Sequence, residues 1–120
     1  MAKILLVGYI RELLEERRNV LYAAGYHVTL ASGRDTAFQA IEQDTFDAAV
    51  LGYSVPEEER NEIARRLVRA NPDTKIVMIY FTSVQNTEFA DALIPTTAGA
   101  PEVLRAVNHV LKAQRSSKTG

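Results

Sequence analysis

The sequence predicts an α/β domain in which parallel strands form a doubly wound sheet with helices on both faces. Two observations support this prediction. Five short apolar runs alternate with amphipathic stretches, and the runs are apolar enough to be buried on both faces of a sheet. Right-handed crossovers between parallel strands then place helices on both faces. In sheets of this kind, binding sites lie beyond the carboxyl ends of the strands.

The predicted elements follow one another without a linker. The strands are expected at 3–7, 26–31, 46–51, 75–81 and 92–94. Helices are expected at 10–24, from a cap at Ser32 or Asp35 to Gln43, from Pro56 to Asn71, and from Pro101 onward. Only ten residues, 82–91, separate the last two strands, so the fourth helix of the fold is expected to be shortened to two turns at most.

Length and composition narrow the classes of protein. A chain of 120 residues has room for one domain, expected at 1–114, followed by a disordered polar tail at 115–120. The net charge of −1 gives no basic surface for nucleic acid, and the absence of cysteine excludes disulfides and thiol catalysis. No apolar run reaches the ~20 residues of a membrane helix, and the expected location is the cytoplasm.

Several charged residues have an ambiguous role. Arg17 falls within the apolar stripe of the first helix, and we expect its guanidinium to reach solvent at the helix edge; a buried charge that needs a partner is the alternative. His27 and His109 are far apart in sequence and are predicted to lie at the surface. On the third helix, Glu62 is expected to pair with Arg65 and Arg66.

Several segments resemble the receiver domain of bacterial response regulators: KILLV at 3–7, GYHV at 25–28, FDAAVL at 46–51, Pro56, and RRL at 65–67. The resemblance covers nearly the whole chain and implies a flavodoxin-like strand order, 2-1-3-4-5. It also implies a role in two-component or phosphorelay signal transduction. In active receivers, an aspartate after the third strand accepts a phosphoryl group, and two acidic residues after the first strand hold Mg²⁺. A Thr or Ser after the fourth strand and a Lys after the fifth bind the phosphoryl oxygens.

This sequence has none of those side chains at the matching positions. Gly8 and Tyr9 stand where the acidic pair is expected, Gly52 where the phosphoacceptor is expected, and Tyr80 where the hydroxyl residue is expected. The lysine position falls on Thr96, or on Thr97 if the alignment shifts by one. Arg60 replaces a glycine of the family, and Leu93 or Ile94 falls where the fifth strand usually has an aromatic residue. The resemblance therefore implies a degenerate receiver without a phosphoacceptor, a catalytic residue, a metal or a cofactor.

Two functional hypotheses follow. The first is a pseudo-receiver that binds an unknown signalling protein and contacts neither nucleic acid nor membrane. A homo-oligomer is compatible with this hypothesis. The alternative is a small-ligand-sensing module whose pocket is lined by Tyr9, Tyr53 and Tyr80, although aromatic residues at strand ends more often fill space left by other side chains. An enzyme is disfavoured, as is Ser54 as a substitute phosphoacceptor, because no acid, base, nucleophile or metal set is present.

Overall fold

The computed structural model describes residues 2–80, 89–97 and 99–119. Their elements follow in the order β1 (Lys3–Val7), α1 (Arg11–Ala23), β2 (His27–Ala31), α2 (Arg34–Gln43), β3 (Ala48–Leu51), α3 (Glu57–Ala70), β4 (Lys75–Tyr80), β5 (Ala92–Pro95) and α4 (Ala100–Thr119). The predicted helix between β4 and β5 would fall largely on 81–88, which lies outside the described residues.

The sheet has five parallel strands in the order β2-β1-β3-β4-β5. The predicted fold class and strand order are confirmed. The central strand β1 pairs with both β2 and β3, so that Val7 lies opposite Ala31 on one side and Leu51 on the other. The carboxyl ends of these three strands therefore meet at one edge of the sheet.

Helices cover both faces of the sheet, because buried apolar strands alternate their side chains between two cores. α1 and α4 pack together on one face, where Leu14, Leu21 and Val107 meet Leu6 of β1. α2 and α3 pack together on the other face, where Ile63 and Leu67 of α3 pack against the apolar strand side chains of the second core. Right-handed crossovers between parallel strands predicted helices on both faces of the sheet.

Two predicted helix boundaries are wrong. α2 begins at Arg34 with Gly33 as its N-cap and no side-chain cap, so neither Ser32 nor Asp35 caps it. Gly33 has φ +133°, a conformation that side-chain-bearing residues rarely adopt. α4 runs to Thr119, and the backbone of 115–119 continues the helix instead of forming a separate tail. No proline follows Pro101 and no glycine interrupts the chain before Gly120, so nothing local ends this helix.

The predicted pairing of Glu62 with Arg65 and Arg66 is also wrong. The Glu62 carboxylate lies 3.6 Å from the Arg34 guanidinium of α2. Arg66 stacks its guanidinium 4.0 Å from the centre of the Phe38 ring, and Arg65 lies 5.8 Å from the ring centre of Phe89. Phe38 lies on α2 and Phe89 lies shortly before β5, so these aromatic partners come from other elements, which helical spacing within α3 cannot show.

Candidate functional site

Two glycines form the centre of the carboxyl edge of the sheet. Gly8 follows β1 and Gly52 follows β3, and the Gly52 N–H donates to the Val7 carbonyl oxygen at 2.9 Å. A Cβ added to Gly52 would lie 3.8 Å from Gly8 Cα. The positions singled out in the sequence at the ends of the first and third strands therefore meet in space. Neither glycine brings a side chain to this edge.

Position 52 has little room for a side chain. A Cβ on Gly52 would approach the Val7 carbonyl oxygen to 3.1 Å and Nη1 of Arg17 to 3.2 Å. Both distances are shorter than ordinary van der Waals contact. A larger residue at 52 therefore requires the Arg17 side chain to move.

Arg17 is buried, with 7% of its surface exposed, so the expectation that it reaches solvent at the helix edge is wrong. Its side chain shares the buried stripe of α1 with Leu14 and Leu21 and ends beside Gly52. Burial lowers the pKa of the guanidinium, while the nearby Tyr53 and Glu16 raise it. The alternative interpretation of Arg17, a buried charge, is the one that the structure supports.

Tyr9, directly after Gly8, is 50% exposed. Its ring lies over Gly33, where an added Cβ would come within 2.6 Å of the ring. The hydroxyl donates to Oε1 of Glu59 at 2.5 Å, and the Tyr9 N–H donates to Oγ of Ser54 at 2.8 Å. The hydrogen bond to the Glu59 carboxylate, aided by burial, raises the pKa of the Tyr9 phenol. Tyr9 therefore lies at the rim of the site.

The remaining predicted positions lie along the same edge. Tyr53 is half-buried and packs against the core between the sheet, α1 and α4. Tyr80 is half-buried at the end of β4, and its carbonyl oxygen accepts the Thr96 N–H at 2.9 Å. Thr96 directly follows β5 and is half-buried, whereas Thr97 is exposed. On β5, Leu93 is exposed and Ile94 is half-buried. The structure thus brings the predicted positions to the carboxyl edge of the sheet.

Arg60 is a site residue whose role the sequence did not reveal. From α3 it reaches the end of β4, where Nη1 donates to the Ile79 carbonyl oxygen at 3.1 Å. Its Nε is buried and has no hydrogen-bond partner. Burial lowers the pKa of this guanidinium, and Glu57 raises it. An arginine in an acidic helix start resembles a surface residue, so only the packing of α3 on β4 reveals it.

A groove of about 420 Å³ lies between α1 and the start of α2. Tyr9, Leu14, Arg18, Leu30 and Ser32 line it, with Arg11 and Glu15 at its rim forming an ion pair of 3.4 Å. Of the three predicted tyrosines, Tyr9 is the one that lines this groove.

The described residues contain no group of three or more His, Cys, Asp or Glu side chains that could hold a metal ion. The two histidines, His27 and His109, are both exposed, as predicted. Within the same part of the chain, no helix has the length and apolar character needed to cross a membrane.

No protein-family model matches the chain. A response regulator receiver protein, CpdR of Brucella abortus (strain 2308), is 29% identical over 101 residues, which are 84% of this chain and 78% of that protein. A CheY-like response regulator receiver domain protein from Methanospirillum hungatei superposes with a TM-score of 0.86 at 24% identity, covering 98% of both chains. The response regulator TrrA of Thermotoga maritima, solved in complex with Mg²⁺ and BeF, gives a TM-score of 0.77 at 20% identity, covering 92% of this chain and 99% of that one.

The structural neighbours show the same fold as this chain, with identities of 24% and 20%. CpdR, the relative found by sequence, is also named a response regulator receiver protein. The chain therefore has the fold of receiver (CheY-like) domains, and its sequence is similar to that of a response regulator receiver protein.

Proposed function

We propose that this domain is a degenerate receiver, which acts in two-component signalling by binding a partner protein and is not phosphorylated on an aspartate. The observation that carries the proposal is the glycine pair at the carboxyl edge. The ends of β1 and β3 are adjacent, yet Gly8 and Gly52 bring no carboxylate to it. A carboxylate there is the group that would accept the phosphoryl group.

Metal chemistry at this edge is disfavoured for a related reason. Mg²⁺ is bound through carboxylates and waters in near-octahedral geometry. Here the nearest charged group to Gly52 is the Arg17 guanidinium, with Nη1 at 3.2 Å from where a Cβ would be. A buried cation repels a second cation strongly, because the interior screens charge poorly. The site therefore opposes the ion that phosphoryl transfer requires.

Ser54 does not substitute for the missing acceptor. Its Oγ accepts a hydrogen bond from the Tyr9 N–H at 2.8 Å, a contact that fixes the loop after β1. The described residues place no histidine beside it, and both histidines are exposed and lie elsewhere. A serine without an adjacent base is a weak nucleophile.

Incubation with acetyl phosphate and Mg²⁺, followed by intact mass measurement, tests the proposal. We expect no species heavier by the phosphoryl mass of about 80 Da. The Ser54→Ala variant is the matched control, because a mass gain that it abolishes would locate the phosphate on Ser54. A stoichiometric mass gain that persists in the Ser54→Ala variant contradicts the proposal.

The groove beside Tyr9 favours the second candidate, a small-ligand sensor. Its apolar floor of Leu14 and Leu30 and the hydroxyl of Ser32 suit a small molecule with one apolar face. A compound that binds there raises the melting temperature of the protein, and the rise increases with the logarithm of the ratio of ligand concentration to Kd. Tyr9→Ala should abolish that rise, whereas a rise that persists in this variant excludes the groove as the binding site.

A further inference from the structure

Two polar side chains are buried in the described part of the chain, Thr74 and Arg17. Thr74 donates its hydroxyl to the Phe46 carbonyl oxygen at 2.7 Å. No carboxylate among the described residues lies within ion-pair distance of the Arg17 guanidinium. The contrast is informative, because a buried charge without a counterion is far more costly than a buried hydroxyl with a hydrogen bond.

The location of this charge is also defined. A Cβ added at position 52 would lie 3.2 Å from Nη1 of Arg17 and 3.1 Å from the Val7 carbonyl oxygen. A side chain at 52 would therefore begin beside the cation. The guanidinium is the end of a flexible side chain and can shift by a few tenths of an ångström, whereas the Val7 carbonyl oxygen belongs to the β1 backbone, so a side chain at 52 also requires a small adjustment there.

We infer that Arg17 sets the charge preference of the strand-end site, so that an anionic oxygen beside residue 52 is favoured and a metal ion there is not. This inference rests on the proposed function, in which residue 52 occupies the phosphoacceptor position. Arg17 then determines the charge of the group that the site accepts. Its guanidinium is the cation that lies beside the phosphoacceptor position.

A double-mutant cycle tests the inference. Gly52→Asp and Gly52→Asn differ by one charge at nearly constant volume, and each is made with Arg17 present and with Arg17→Met. With Arg17 present, we expect the Asp variant to resist urea better than the Asn variant. With Arg17→Met, we expect the order to reverse, because the carboxylate then lacks a counterion.

The reversal should change the ratio of the unfolding constants of the Asp and Asn variants by roughly twofold to a hundredfold, the range of coupling between contacting residues. The same Asp–Asn difference in both backgrounds would overturn the inference. It would leave the proposed function intact, since that depends on the absence of aspartyl phosphorylation in the unmodified protein. Conversely, aspartyl phosphorylation of the unmodified protein would contradict the proposed function without altering the cycle.

Arg17→Met alone provides a second test if substitutions at 52 prevent folding. Replacing a buried charge that has no carboxylate within ion-pair distance by an apolar residue of similar length should leave the urea midpoint unchanged or raise it. Arg18→Met, at an exposed neighbouring position, is the control and should leave the midpoint unchanged. A clear loss of stability confined to Arg17→Met would show that the cation already has a partner, and would overturn the inference.

Discussion

The two edges of the sheet differ in where they place their charges. At the amino edge, aspartates bind the starts of the strands: Asp47 accepts the Lys3 N–H at 2.8 Å, and Asp91 accepts the Ile76 N–H at 2.7 Å. Asp44 accepts the Lys3 ammonium at 2.9 Å. Carboxylates at this edge therefore satisfy backbone and side-chain donors that the strand starts leave open.

At the carboxyl edge the pattern is reversed. Gly8 and Gly52 end β1 and β3, and the Arg17 and Arg60 guanidinium groups reach toward the strand ends from α1 and α3. The Glu59 carboxylate lies at the rim, where it accepts the Tyr9 hydroxyl. The comparison teaches that the parallel sheet uses polar groups at the amino edge for its own backbone, whereas the carboxyl edge folds with glycines directly after β1 and β3. Fold and site are separable in this architecture.

The largest effect is expected at Gly33, which lies at the carboxyl edge under Tyr9. Gly33→Ala would place a Cβ 2.6 Å from the Tyr9 ring and impose φ +133° on alanine. Backbone strain of this kind costs of order 1–3 kcal/mol, and overpacking costs about 1–3 kcal/mol more. Urea denaturation measures the loss in the free energy of unfolding.

Gly25→Ala is the matched control, because Gly25 has φ +98° and no atom within 4 Å of an added Cβ. This variant should lose only the part of the unfolding free energy that backbone strain costs. Adding Tyr9→Ala to Gly33→Ala should recover the part of the lost unfolding free energy that comes from the contact between the new Cβ and the Tyr9 ring. If the Gly25 and Gly33 variants are equally destabilised, the placement of the Tyr9 ring over Gly33 is wrong.

A smaller loss is expected at the amino edge from Thr74→Val. The substitution keeps the shape of the side chain but removes the buried hydrogen bond to the Phe46 carbonyl oxygen. An unsatisfied buried carbonyl costs about 1–3 kcal/mol in the free energy of unfolding. Thr36→Val, at an exposed position of α2, should stay within about 0.5 kcal/mol. Equal effects in the two variants would show that the Thr74 hydroxyl does not stabilise this edge.

The sequence predicted the fold well because the fold depends on local patterns. The apolar run KILLV at 3–7 gave β1 with its correct bounds, and Pro56 followed by three glutamates marked the start of α3. Strand ends were less accurate: β3 begins at Ala48 and not at Phe46, and the Asp47 carboxylate before it accepts the Lys3 N–H. That contact joins residues 44 positions apart, which no local pattern reveals.

The site was predicted as a set of positions but not as an arrangement. The glycines at 8 and 52 follow from strand ends and from the resemblance, both of which are visible in the sequence. The inward course of Arg17 could not be predicted, because a single arginine in an apolar stripe is compatible with solvent exposure or burial. The position of Tyr9 over Gly33 likewise depends on the positive φ of Gly33, which is a property of the folded backbone.

The smallest effect is expected at the exposed ion pair of the amino edge, where it appears as a pH dependence. The hydrogen bond from Lys3, together with the Thr45 N–H, lowers the pKa of Asp44 below its usual value near 4. Because the folded pKa is the lower one, this stabilisation is present above the unfolded pKa and is lost as the pH falls through the folded pKa. Lys3→Gln removes the main cause of the shift, so the decline in the free energy of unfolding below about pH 4 should become shallower. Lys112→Gln, at an exposed position without an ion pair among the described residues, should leave the decline unchanged. An identical pH profile for the Lys3→Gln variant and the unmodified protein would show that this pair does not link protonation to folding.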